Sequence, residues 1–216
     1  MSSTPKLRLD WASSEAARFA CKRWHYTGTV PVALVKIGIW EDDKFAGVIL
    51  FGPGAGTSTS GIRYGLRERY DMAELVRVAM APWHKTPVSR CIAIATRMLC
   101  KQSPNLRMLI SFADTKQGHH GGIYQACGWT YLGQTDGNPV FIIHGKQRHN
   151  KTITKIHEGS RLKWLHTFVD PNAKKVRLPV KHRYVLPLDE EMRQAILPLA
   201  QPYPKRVEES HALQAS

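Results

Sequence analysis

Between Asp114 and Tyr124 the chain sets a carboxylate, an amine, two imidazoles and a phenol along the stretch DTKQGHHGGIY. Groups of this kind move protons or hold metals. An aspartate at the end of a strand can take a proton from an amine. A phenol, with a reference pKa of about 10, can protonate a leaving group or position a nucleophile. Tyr124 also reads as a core residue with a satisfied hydroxyl, and His120 as a solvated loop histidine. Gly121 and Gly122 weaken a helix here, so close approach of a ligand is expected to repay them. His25, in WHYTG (24–28), is a second candidate base or metal ligand. With Asp114 and His119 it would make the two-histidine, one-carboxylate set suited to iron, although a helix-end histidine is more often a cap or a packed ring.

The elements that must position these groups follow from periodicity and turn residues. SSEAARFACKRW (13–24) reads as a helix capped by Ser13 or Ser14. ALVKIGIW and FAGVILFG flank EDDK and read as a hairpin. GPGAGTSTSG (52–61) is a loop, the basic segment 62–70 a surface stretch, and ELVRVAM (74–80) a strand. Thr86-Pro87 reads as an N-cap followed by proline at the first helical position of a helix reaching Lys101. The free amides near Val88 and Ser89, with the Arg90 charge, make either an anion site or an ordinary helix start. RMLISFA (107–113) is a strand, 121–126 a short helix, and WTYLGQT and PVFIIHG flank Asp136-Gly137-Asn138 as another hairpin.

Charge points to a partner. The 216 residues carry a net charge of +14. Residues 144–186 hold 11 Lys and Arg against Glu158 and Asp170, interleaved with Trp164, His166, Phe168, His182 and Tyr184. Cations neutralise phosphates and aromatic rings can stack on bases, so a nucleic-acid partner is expected. No apolar run suits a membrane span and no secretory leader is visible. The four cysteines form no CxxC pair and read as reduced, buried thiols. Residues 1–145 are expected as a catalytic core, 146–190 as a basic extension packed on it, and 191–216 as a helix and flexible tail.

The strand–helix–strand–helix–strand order resembles the GNAT acyltransferase fold. That implies an α/β (α+β) class with a central mixed, mostly antiparallel sheet flanked by helices. It also implies a pyrophosphate site at the helix of Val88, Ser89 and Arg90, and an acidic tyrosine at Tyr124. The chain departs from the GNAT glycine-rich loop: HKTPVSR (84–90) has no glycine. A narrower resemblance rests on HYTGTVP (25–31), IGIWEDDKFAGVILFG, ELVRVAM, the P-V-S helix start, SFADTKQGHHGGIYQACGW (111–129) and KHRYVLPL. Together these resemble the Mom family of bacteriophage DNA-modification proteins. The resemblance implies an N6-methylcarbamoyl (acetamido) group added to adenine, which blocks restriction, in the cytoplasm of the infected host. The donor stays open, acetyl-CoA or another acyl donor.

That resemblance places functional positions at His25, Arg77, Ser89, Asp114 and Tyr124, with iron at His25 and Asp114. Arg77 would serve the donor with Val88, Ser89 and Arg90. Double-stranded DNA with a flipped adenine would meet Tyr26, Arg63, Arg67, Gln117, His119, Lys181, Arg183 and Tyr184. The loop 52–61 and Arg69 would close over it. The oligomeric state stays open, a dimer included. The alternatives are a conventional GNAT N-acetyltransferase for a protein or small amine, and a non-enzymatic basic DNA-binding protein.

Overall fold

The computed structural model describes residues 4–53, 64–66, 71–137, 139–149, 152–153 and 162–206. The chain runs β1 (Leu7–Trp11), α1 (Ser14–Trp24), β2 (Val35–Glu41), β3 (Lys44–Gly52), β4 (Met72–Met80), α2 (Val88–Gln102) and β5 (Met108–Asp114). A single 3-10 turn (Thr115–Gln117) leads to α3 (Gly122–Gln125) and β6 (Thr130–Gln134). Then come β7 (Pro139–Ile143), β8 (Lys146–His149), α4 (Leu162–Phe168), β9 (Lys174–Arg177), β10 (Lys181–Pro187) and α5 (Glu190–Ile196).

The first seven-stranded sheet has the order β1-β2-β3-β4-β5-β10-β6, and a second has the order β8-β7-β9. Every neighbouring pair is antiparallel except β4 and β5. This is the mixed, mostly antiparallel sheet that the sequence predicts. Asp42 and Asp43 turn the β2–β3 hairpin with positive φ at both positions, the backbone of a tight two-residue turn. Ser13 caps α1, its Oγ accepting from the Ala16 amide at 3.1 Å. One face of α1 buries Ala17, Ala20 and Cys21 against Val48, Leu50 and Ala79 of the sheet. Across the sheet, α2 packs Cys91, Ile92, Ala95 and Leu99 against Ile37, Ile39, Ile49 and Phe51.

Several expectations change. β1 was not foreseen; its short alternation is too weak a signal without the β2 edge it pairs with. β6 and β7 form no hairpin, because β6 pairs with β10 and β7 pairs with β8 and β9. Within the basic segment after residue 145, β10 lies inside the main sheet, between β5 and β6, and β8 and β9 lie in the second sheet. β7, in the second sheet, helps to build a small core of Phe141, Ile143, Ile153, Leu165 and Ala173. Within the stretch expected on the surface, Tyr64 and Leu66 are buried against Met108, Ile110 and Val185. The tail is ordered as far as it is described: the Gln201 amide donates to the Tyr131 carbonyl, and the Tyr203 hydroxyl to that of Trp129.

Protein packing requires the glycines at the start of α3, and both line a cavity. A Cβ on Gly121 would meet the Tyr184 ring at 2.2 Å, and Gly121 holds φ at +84°. A Cβ on Gly122 would meet the His120 ring at 2.9 Å. Gly121→Ala therefore combines a left-handed backbone with a clash against a buried ring. It should cost about 2–4 kcal/mol of stability, read by urea denaturation. An unchanged midpoint would show that Tyr184 can move aside.

Candidate active site

The site begins where two strands part. β4 and β5 are paired at Met72↔Met108, Ala73↔Leu109 and Glu74↔Ile110, and no further. Beyond those rungs β4 stays with β3, and β5 stays with β10. The cleft between them opens into a cavity of about 1040 Å³. Small-molecule sites run to about 300–1,000 Å³, so this one has room for more than one small group.

Ser111 closes the apex of the cleft. Its hydroxyl lies 2.8 Å from the Leu75 carbonyl oxygen and 2.8 Å from the Tyr124 phenol oxygen. A carbonyl can only accept, so Ser111 donates to Leu75, and Tyr124 is left to donate to Ser111. The same phenol is 7% exposed, between the rings of Trp129 and Tyr184. Burial pushes its pKa up to about 12; the Ser111 hydroxyl, which can donate to the phenolate once the proton is gone, opposes this, and the Glu74 charge adds to it. Tyr124 is therefore protonated at neutral pH, suited to act as an acid. Ser111 was missed by the sequence analysis, although a serine inside a buried strand must spend its hydroxyl somewhere.

A bulge aims Arg77. Opposite β3 the register steps from Arg77↔Leu50 to Leu75↔Phe51, leaving Val76 as the extra residue. The shift turns Arg77 toward α1, where its Nη1 lies 3.0 Å from His25 Nδ1 and 3.2 Å from Nε2. Its Nε is buried with no hydrogen-bond partner among the described residues. Burial, then the Arg77 charge, then His119, bring His25 down to about 4. The Thr27 amide also donates to Nδ1, at 3.2 Å. His25 is thus neutral, with its accepting nitrogen occupied.

Asp114 ends β5 at the cavity wall. Its Oδ1 accepts from the Lys116 amide at 3.0 Å, capping the 3-10 turn, and its Oδ2 from the Tyr26 hydroxyl at 3.4 Å. Burial and the Asp114 charge raise the Tyr26 pKa. His119 is exposed and sets its ring edge-on to Tyr26 at 5.6 Å. Around the cavity the structure thus gathers His25, Tyr26, Arg77, Asp114, His119 and Tyr124, with Lys181 and Arg206 also lining it.

Other candidates lie elsewhere. Gln117 is exposed on the 3-10 turn and does not line the cavity. Arg183 is half-buried beside Phe112 on β5. Tyr184 is fully buried, its hydroxyl donating to the His120 carbonyl, so it packs the core and meets no surface partner. His120 is half-buried rather than wet, since its ring packs over Gly122. Arg63, Arg67 and Arg69 lie outside the described residues, as does nearly all of loop 52–61.

Val88, Ser89 and Arg90 form the first turn of α2, away from the cavity lining. Pro87, not Thr86, is the N-cap, and it makes no side-chain cap. The Thr86 hydroxyl and amide are spent on Glu41. That carboxylate, 5% exposed, accepts from the Thr86 amide at 2.7 Å and the Lys85 amide at 2.9 Å. An internal anion thus holds the loop amides that lead into the helix, and Pro87 has no N–H to offer. The Lys85 and Thr86 amides are therefore closed to a coenzyme A pyrophosphate, and the Val88 and Ser89 amides are those the helix start would offer one. Iron does not fit: the Arg77 cation lies against His25, and among the described residues no three His, Cys, Asp or Glu side chains group as a metal site.

The sheet, its parted parallel pair and the tyrosine beyond the cleft define a GNAT-like acyltransferase fold. A mosquito arylalkylamine N-acetyltransferase-like structure superposes with a TM-score of 0.50 at 13% identity, covering 85% of this chain and 100% of its own. A GNAT-family acetyltransferase from Streptococcus pneumoniae matches with a TM-score of 0.48 at 12% identity, over 85% of this chain and 100% of that one. Within that fold, the chain belongs to the Mom protein family, whose model matches residues 6–205. It is 26% identical over 210 residues to the methylcarbamoylase Mom of Escherichia phage Mu, covering 93% of this chain and 84% of that protein.

The lowered His25 pKa can be measured. Proton NMR should place its midpoint near 4, and Arg77→Gln should move it toward 6.5. Because the folded value lies below the unfolded one, this histidine's contribution to stability is complete above pH 6.5 and is lost as pH falls toward 4. A midpoint near 6.5 in the unaltered protein would contradict the contact with Arg77.

Proposed function

We propose that this protein is a phage DNA-modification enzyme that transfers a methylcarbamoyl group to the N6 amine of adenine in double-stranded DNA. The observation that carries this reading is the cavity in the strand cleft. It sets a protonated phenol, Tyr124, at its floor and a carboxylate, Asp114, at its wall, in a chain of the Mom family. The net charge of +14 suits a polyanionic substrate. The N6 lone pair of adenine is delocalised into the ring, and in duplex DNA it faces a pairing partner. The base must leave the stack to react.

In the cavity, N6 bonds to the carbon of the transferred group and gives its proton to Asp114. Tyr124 gives its proton to the group that departs from the donor. Ser111 then turns its own hydroxyl from Leu75 to the phenolate oxygen. His25, with its acceptor nitrogen held by Arg77 and Thr27, orients rather than deprotonates. Arg77 offers its charge to an anionic or carbonyl part of the donor. None of these steps passes through coenzyme A or iron. No described helix is long and apolar enough to cross a membrane, and the host cytoplasm, where phage DNA is replicated, is the proposed place of action.

Expression with a plasmid, followed by digestion to nucleosides and mass spectrometry, tests the reading. Deoxyadenosine heavier by the methylcarbamoyl group is expected. Tyr124→Phe should lower the yield about 100-fold or more, the usual reach of general acid catalysis, and Ser111→Ala should lower it less. Unmodified deoxyadenosine throughout, with folded protein present, would sink the proposal.

A further inference from the structure

A second depression, of about 790 Å³, opens beside the cavity, between α1 and the turn after β4. His25 and Tyr26 line both, so the two share a wall. The walls of the second are aromatic. Phe19 stands edge-on to Trp24 at 5.3 Å, and Trp24 edge-on to Trp83 at 6.5 Å. Phe19 is 54% exposed, on the face of α1 opposite the buried Ala17, Ala20 and Cys21. A phenyl ring left half in water gains nothing for the fold from its open side.

The charge around these rings is positive. Arg23 lines the groove one helical turn after Phe19, so the two share a side of α1. Arg18 and Lys22 are exposed on the same helix, which has Glu15 as its acidic residue. Lys44 Nζ sits 4.0 Å from the Trp83 ring centre. Aromatic faces with cations beside them form the usual platform for an unstacked base and its phosphate.

We propose that this groove holds the DNA strand beside the flipped adenine, with one unstacked base against Phe19 and Trp24 and its phosphate on Arg23. The inference rests on the proposed function and adds a second binding site to it. A base drawn into the cleft leaves its neighbours unstacked, and the groove offers one of them a ring at the cavity mouth. The cost of opening the duplex is thereby partly offset outside the cavity where the chemistry happens.

Anisotropy with a labelled single-stranded oligonucleotide and a duplex tests this, on the full chain and on exposed variants. Phe19→Leu keeps an apolar side chain but removes the stacking face. It should weaken binding of the single strand about tenfold or more, whereas Phe19→Trp should restore it. Arg23→Gln should reduce the salt dependence of binding by about one phosphate contact. If Phe19→Leu binds both DNAs as the unaltered protein does, the groove is not a strand site. The same holds if its only defect is a greater demand for donor, which would assign the groove to the donor. If the unaltered protein neither binds nor modifies DNA, the proposed function falls and this inference with it. If it does both while Phe19→Leu is unchanged, the groove alone falls.

Discussion

The structure depends on a parallel pair of strands that are hydrogen-bonded at their beginnings and then separate. Backbone groups exposed by such a parting would be costly to leave unmet inside a protein. Ser111 meets this cost on one side by taking the Leu75 carbonyl. The same hydroxyl receives the Tyr124 proton, so the group that mends the sheet also governs the candidate acid. Tyr124 is held from behind by Trp129 and Tyr184, whose rings lie 5.2 and 5.3 Å from its own. Ser111 thus both closes the apex of the cleft and orients the phenol, whose raised pKa comes from its burial.

Two charges shape the rest of the site. Arg77, turned by the Val76 bulge, adds to burial in keeping His25 neutral and puts a cation where a metal would otherwise be imagined. Glu41, at the far end of β2, occupies the Lys85 and Thr86 amides before α2. The chain thus keeps the acyltransferase sheet while the loop before α2 carries an internal carboxylate. Among the described residues, exposed cations stand on α1, at the start of β10 and on the tail, and Lys85 and Arg90 stand exposed at the helix start.

Much of the local structure was legible. Alternation marked β2, β3 and β5, Ser13 marked the start of α1, and the positive-φ residues Asp42 and Asp43 fell where the turn was read. Asp114 and Tyr124, which line the cavity, stood out as candidates because polar and glycine residues crowd between two apolar runs. Tyr184 was misjudged because an aromatic in a basic segment looks the same in sequence whether it meets DNA or a buried glycine. The Asp136-Gly137 turn was misread as a hairpin because turn residues report a reversal of the chain without saying which strand comes to lie alongside.

The sequence by itself determined the element types, the basic character and the identity of the groups that can transfer protons, because these follow from side-chain chemistry and from periods of two and 3.6 residues. Only the tertiary structure decided that β10 enters the sheet beside β5. It also decided that Arg77 faces His25 and that Glu41 takes the loop amides before the helix. Each of these joins residues far apart in the chain, through a strand insertion, a bulge or a buried carboxylate. Such pairings are settled by which surfaces pack and which buried polar groups must be satisfied, and no local spacing records them.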